Sequence, residues 1–191
     1  MITIEDAKIL FKIARSSISK SKEEFELSKD LNRKSGAFVT LFTYPEKELR
    51  GCIGYSEAIF PLSEAVEKAA YAAANHDSRF EPLEKSELGK VIIEISILSE
   101  PTLIAVKNPE EYPKKISSKD GLIIEYCGNK GLFLPQVWEQ IPGKIEFLDN
   151  LCMKAGLPPG FWMNQGIKLY KFSVISFIEE KPNSKIKQFM S

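Results

Sequence analysis

The chain has 191 residues, 43% of them hydrophobic and 27% charged, and its 26 Lys and Arg balance 26 Asp and Glu. A chain of this length buries roughly 70% of the surface that its unfolded form exposes, so its core needs no staples. A net charge of zero argues against a protein built mainly to grip phosphate backbones, and the apolar content excludes a disordered chain.

Residues 3–18 read as an amphipathic helix. Thr3 is placed to cap it with Asp6 three positions on, and Ala7, Leu10, Phe11, Ala14 and Ile18 recur at helical spacing. A charged, irregular connector follows over 19–35, with Lys22-Glu23-Glu24 as a solvated run. Next come a strand (36–42), a turn at Tyr44-Pro45-Glu46-Lys47 and a returning strand (49–55). Pro61 is placed at the first position of a second helix, where its missing N–H is no loss. The helix ends near Asn75, and its alanine-rich face (Ala65, Ala69, Ala70, Ala73) lets another backbone approach closely. After His76-Asp77-Ser78-Arg79-Phe80 comes an apolar strand over 90–98.

The second half repeats this order. It has a short helix over 108–116 interrupted by Pro113, then strands 121–126 and 131–134 around Cys127-Gly128-Asn129-Lys130. A helix over 145–155 is closed by Gly156, and a last strand covers 168–178. Trp138 and Trp162 flank that helix and read as core residues. The lysine-rich tail beyond Glu180 is expected to fray. The fold class is α+β: a two-lobed chain of two αββαβ-like halves, 1–101 and 102–191, with helices packed on mostly antiparallel sheets.

Three cysteines (Cys52, Cys127, Cys152) show no paired spacing, which points to reduced thiols and a cytoplasmic location. Glu5, Asp6 and Lys8 stand where a signal peptide would be apolar. The longest charge-free run, 155–167, is broken by two prolines and three glycines, so no membrane span is expected. Lysine outnumbers arginine 22 to 4, a bias compatible with a thermophilic source or an AT-rich genome. One histidine and no CxxC leave no zinc spacing, and there is no GxGxxG, GxxxxGK[ST] or GxSxG, so no metal or cofactor is expected. Residues 34–41 (KSGAFVTL) lack the aromatic residues of an RNA-stacking strand and read as core.

The segment most suited to chemistry is Leu49-Arg50-Gly51-Cys52-Ile53-Gly54. In a strand, Arg50, Cys52 and Gly54 share one face, so the guanidinium can favour a Cys52 thiolate as nucleophile. Gly51 and Gly54 weaken a strand, as fits a place where a ligand or another backbone comes close. The same residues also suit a small buried hydrophobe beside a bulge. Near Asp77 and Arg79, two arginines (Arg50 and Arg79) could bind a carboxylate or phosphate, and His76 could pair with Cys52. Alternatively, Asp77 accepts from backbone N–H groups or from Arg79 and merely holds the helix end in place.

LRGCIG, with GAFVTL before it and DSRFEPL after it, resembles the AMMECR-type domain. The similarity extends through VIIEISILSEP, DGLIIEY, GLFLPQV and FLDNLCMKAGLP, from about residue 36 to 177. The resemblance implies a two-lobed α+β protein with the hexapeptide near a cleft between the lobes. It also implies a pathway shared with a Memo-type dioxygenase-like protein and a radical SAM protein. Carried over by position, its motif residues are Leu49, Arg50, Gly51, Cys52, Ile53 and Gly54, then Asp77, Arg79 and Phe80; His76 lies outside the pattern. The expected function is a binding or accessory protein. Its cleft receives a small anionic ligand or a partner segment through Arg50, Gly51, Gly54, Asp77, Arg79 and Phe80. The alternatives are an enzyme with Cys52 as its catalytic nucleophile, or an RNA-binding or translation factor. A membrane is not expected as a partner, and the charge balance counts against nucleic acid.

Overall fold

The computed structural model describes residues 2–21 and 23–190; Lys22, part of the expected solvated run, lies outside them. In chain order the elements are α1 (Ile4–Ser19), β1 (Ala37–Thr43), β2 (Leu49–Tyr55), α2 (Leu62–Asn75), β3 (Val91–Leu98), β4 (Thr102–Leu103), α3 (Tyr112–Lys115), β5 (Gly121–Tyr126), β6 (Asn129–Phe133), α4 (Lys144–Lys154), β7 (Lys168–Phe172), β8 (Val174–Glu179) and β9 (Ile186–Met190), with short 3-10 turns between some of them. The chain folds as two compact units, residues 1–98 with 175–190, and residues 99–174.

In the first unit the sheet order is β2-β1-β3-β8-β9. β1 lies between β2 and β3 and is antiparallel to both, with Ala37 opposite Tyr55 and Ile97. α1 starts where the sequence places it: Thr3 Oγ1 accepts from Asp6 N at 3.1 Å, and Asp6 Oδ2 accepts from Thr3 N at 2.9 Å. Asp6 Oδ1 also accepts from Ser28 Oγ at 2.7 Å, which ties the irregular connector to the start of the helix. Pro61 sits one position earlier than expected, as an extended N-cap with ψ 146°, and α2 begins at Leu62. The alanine face of α2 (Ala65, Ala69, Ala70, Ala73) is fully buried with Leu10, Val39, Leu41 and Ile93. A β-carbon at Gly51 would stand 2.2 Å from the Ala73 carbonyl oxygen, so α2 lies directly on the β2 backbone.

The strand expected over 168–178 divides at Ser173. There Ser99 N donates to Ser173 O at 2.9 Å and Ser173 N donates to Ser99 Oγ at 2.9 Å. β7 belongs to the second unit and β8 adds to the first unit's sheet, so residues 99–174 are an excursion between β3 and β8. The halves of the chain therefore do not divide at 101/102 alone, because residues 175–190 return to the first sheet. The tail beyond Glu180 is not frayed. A turn with Asn183 at φ 57° reverses the chain, and β9 pairs antiparallel with β8 from Glu179↔Ile186 to Ile175↔Met190.

A buried ion pair absent from the sequence reading fastens β8. Arg15 of α1 engages the Glu179 carboxylate through Nε at 3.2 Å and through Nη2, and donates to Leu88 O at 3.0 Å and Val91 O at 2.7 Å. Glu179 Oε2 also accepts from Ile93 N at 2.9 Å. Three backbone groups add hydrogen bonds to the pair, which helps offset its desolvation.

The second unit has the strand order β4-β7-β5-β6, with antiparallel pairs throughout. Cys127 (φ 46°) and Gly128 (φ 85°) form a two-residue hairpin turn, so β6 starts at Asn129, two residues earlier than expected. Trp138 stacks on Phe147 at 3.7 Å, and Trp162 Nε1 donates to Asp149 Oδ1 at 2.8 Å; both rings are core residues. No helix among the described residues is long and apolar enough to cross a membrane.

Gly51→Ala forces a β-carbon into the α2 backbone, where no flexible side chain can yield. It is expected to lower unfolding stability by about 2–3 kcal/mol, the range for overpacking a tight core. Urea denaturation of the two proteins measures the difference.

Candidate functional site

Strand alternation sends Gly51, Ile53 and Tyr55 toward α2 and the core, and Arg50, Cys52 and Gly54 to the other face of the sheet. β2 is an edge strand, so alternate residues along it present backbone groups that no strand pairs. At Cys52 both are taken by side chains. Cys52 N donates to Asp77 Oδ2 at 2.8 Å, and Arg79 Nη2 donates to Cys52 O at 3.3 Å.

Asp77 is placed there by the end of α2. His76 closes the helix by donating its N–H to Ala72 O at 2.7 Å, and Phe80 N donates to Asp77 O at 3.0 Å to form a turn. The buried Asp77 carboxylate accepts from Arg79 N at 3.1 Å, Arg79 Nε at 2.9 Å and Arg79 Nη2 at 2.7 Å. These Arg79 hydrogen bonds, aided by the one from Cys52 N, outweigh burial and hold the Asp77 carboxyl well below the usual carboxylate range. The same pairing raises Arg79 above its ordinary value. Asp77 therefore takes the structural part weighed for it, and it also pins the backbone of the hexapeptide.

Arg50 is mostly buried and points at a different carboxylate. Its Nε and Nη2 bind Glu87 Oε1 and Oε2 at 2.8 and 3.0 Å, and Nη1 donates to Glu81 O at 3.0 Å. The guanidinium lowers the Glu87 carboxyl in turn. Phe80 lies between the two arginines, with its ring centre 5.9 Å from Arg50 Cζ and 5.5 Å from Arg79 Cζ. The structure thus brings Arg50, Cys52, Asp77, Arg79 and Phe80 into one cluster, with each guanidinium paired to a carboxylate of its own.

The two glycines are explained by close packing. Gly51 admits the α2 backbone, and a β-carbon at Gly54 would meet the Phe38 ring at 2.4 Å. His76 is not part of the cluster; its exposed ring packs edge-on against Tyr71 at 5.3 Å.

Two residues that sequence reasoning passed over complete this face. Thr40 of β1 is in register with both Cys52 and Glu94, so the three side chains stand in one row across β2, β1 and β3. Thr40 Oγ1 donates to Cys52 Sγ at 3.2 Å. All three residues are half-buried. Burial pushes the Glu94 carboxyl above its ordinary range, and a single hydrogen bond, from Ser96 Oγ at 3.2 Å, only partly offsets it. Glu94 is the one charged residue in the apolar strand VIIEISIL, which was a signal in the sequence. Which residues it joins depends on strand register. Among the described residues, no group of three or more His, Cys, Asp or Glu is placed to hold a metal ion.

A model of the AMMECR1 family matches residues 11–177. Protein MJ0810 of Methanocaldococcus jannaschii is 49% identical over 157 residues, which cover 81% of this chain and 78% of that one. Protein MK0488 of Methanopyrus kandleri is 40% identical over 200 residues, covering 98% and 95%. The crystal structure of protein PH0010 from Pyrococcus horikoshii superposes with a TM-score of 0.81 at 41% identity, covering 100% of this chain and 99% of that one.

Asp77→Ala leaves the Cys52 N–H and the Arg79 guanidinium without their acceptor and is expected to lower stability by about 2–3 kcal/mol. The pH dependence follows from the depressed carboxyl. The unfolded chain takes up the proton first, so the contribution of Asp77 is complete above its ordinary value of 3.8 and is lost as pH falls from there. Denaturation curves across acidic pH should show a wild-type loss that is smaller in Asp77→Ala.

Proposed function

The chain belongs to the AMMECR1 family, and we propose that it is a binding or accessory protein that receives a small ligand or a partner segment on the face carrying Arg50, Cys52 and Gly54. One observation carries this reading. Both backbone polar groups of Cys52 are locked by Asp77 and Arg79, while its side chain stays half-exposed in a row with Thr40 and Glu94. A side chain on a backbone held that rigidly, with part of its surface open, is preorganised for a ligand. An anionic ligand would have to draw Arg50 away from Glu87 or compete with Asp77 for Arg79, which favours a partner segment or an uncharged or cationic ligand. The partners we propose are a Memo-type dioxygenase-like protein and a radical SAM protein acting in the same pathway.

A second reading, an enzyme with Cys52 as nucleophile, has one observation in its favour. Thr40 Oγ1 donates to Cys52 Sγ at 3.2 Å, a hydrogen bond that orients the sulfur on the open face.

Titration calorimetry of the purified partners separates the two readings. A Cys127→Ser background removes the exposed competing thiol. Saturable binding of either partner is expected, kept in Cys52→Ser and lost when Cys52 is first carbamidomethylated. If neither partner binds, and Cys52 alkylates rapidly with a midpoint well below the ordinary thiol value of about 8.5, the enzyme reading replaces this one.

A further inference from the structure

The two arginines beside Cys52 are each matched by a carboxylate. Arg50 is matched by Glu87 and Arg79 by Asp77. Glu94 has no lysine or arginine partner among the described residues, and its one hydrogen bond comes from a neutral serine. Of the groups nearest it within the first unit, Ser96 is bonded to Ser176 at 2.8 Å and Thr40 does not titrate. Cys52, on the far side of Thr40, is the only other titratable member of the row. Burial without a counter-charge raises the proton affinity of this carboxyl.

Hydrogen-bond polarity adds an independent argument. Thr40 Oγ1 spends its single proton on Cys52 Sγ, so its lone pairs remain as acceptors. The sulfur is an acceptor in that bond, and the Glu94 carboxylate accepts only. Strand spacing puts the ends of the row roughly 10 Å apart at Cα, the sum of one narrow and one wide antiparallel pair. The row therefore offers acceptors and one uncompensated negative charge across the width of a small group.

We propose that the Cys52–Thr40–Glu94 row is a binding site for a primary ammonium group, with Glu94 as its counter-ion. The amine belongs either to a small molecule or to a lysine side chain of a polypeptide. The inference rests on the reading of this face as a ligand site and names the chemistry of what enters it. An ammonium supplies three N–H donors, and its charge restores the ionised form of Glu94.

The test uses the full chain with 13C-labelled glutamate carboxyls, followed by NMR against pH. The probes are n-butylammonium chloride, a capped lysine peptide, tetramethylammonium chloride and sodium butyrate. Butylammonium or the lysine peptide is expected to shift the Glu94 resonance saturably and to lower its titration midpoint. Affinity should rise as pH increases through that midpoint, while tetramethylammonium, which has no N–H, and butyrate bind far more weakly. Binding by both amines assigns a small amine site, and binding by the peptide alone assigns a lysine side chain. Glu94→Gln should weaken binding roughly tenfold or more, the value of a charge-assisted hydrogen bond.

That variant is expected to fold. The folded chain holds the Glu94 proton more tightly than the unfolded one. Wild-type stability therefore falls as pH rises from 4.5 through the raised value, and the glutamine is spared that loss. Thr40→Val, which removes one acceptor and keeps the charge, should weaken binding by a smaller factor. The proposal is overturned if neither amine perturbs Glu94, if butyrate binds in their place, or if Glu94→Gln binds as well as wild type. Partner binding in wild type with no amine binding would leave the accessory reading standing while this one falls. Absence of partner binding in wild type, with amine binding intact, would do the reverse.

Discussion

How closely α2 approaches β2 governs what surrounds Cys52. Gly51 has no side chain, and the alanines of α2 project only methyl groups, so the helix backbone comes into contact with the strand. That contact sets where the helix ends, and the end of the helix sets Asp77 beside the free edge of the sheet. A larger residue at either place would lift the helix and carry Asp77 away from the Cys52 N–H, 2.8 Å distant. Packing between two secondary elements and the electrostatics of the motif are thus one problem, solved by residue size.

The edge arrangement has a second consequence. An edge strand with free backbone groups is a template for pairing with another chain, and proteins block such edges with charges or covering segments. Here Asp77 and Arg79 occupy the outward backbone groups of Cys52, and Arg50 is drawn to Glu81 and Glu87 in the segment that follows. Strand addition at Cys52 is closed off, while the side chain on the open face is left available. Both arginines contribute to holding the hexapeptide, while Glu94 on the open face has no lysine or arginine partner among the described residues.

Much of the fold was legible along the chain because its causes are local. Thr3 and Asp6 cap α1 through atoms three residues apart, and alternation correctly turns Ile53 and Tyr55 to the core, although the register with β1 shifts at Arg50 and leaves Leu49 exposed. The failures share a physical origin. Ser173 breaks a strand that looks continuous because its partner is Ser99, far away in sequence, and the lysine-rich tail becomes β9 because β8 offers it a ladder. Glu179, near that tail, is buried because Arg15 reaches it from α1.

The candidate site divides the same way. Arg50, Cys52, Asp77, Arg79 and Phe80 were identifiable from the sequence, since they occupy two short, compositionally odd segments. That Asp77 binds Arg79 is likewise a contact across two residues. Composition, periodicity and spacing determined the α+β class and the αββαβ successions from α1 to β3 and from α3 to β7, and the family resemblance picked out the motif. Tertiary structure alone decided that Arg50 is paired with Glu87 and that Thr40 and Glu94 share a row with Cys52. It also decided that residues 175–190 return to the first sheet. The reason is that strand register and ion pairing join residues remote in sequence, and their energies depend on burial and on distances of a few ångströms that no local pattern encodes.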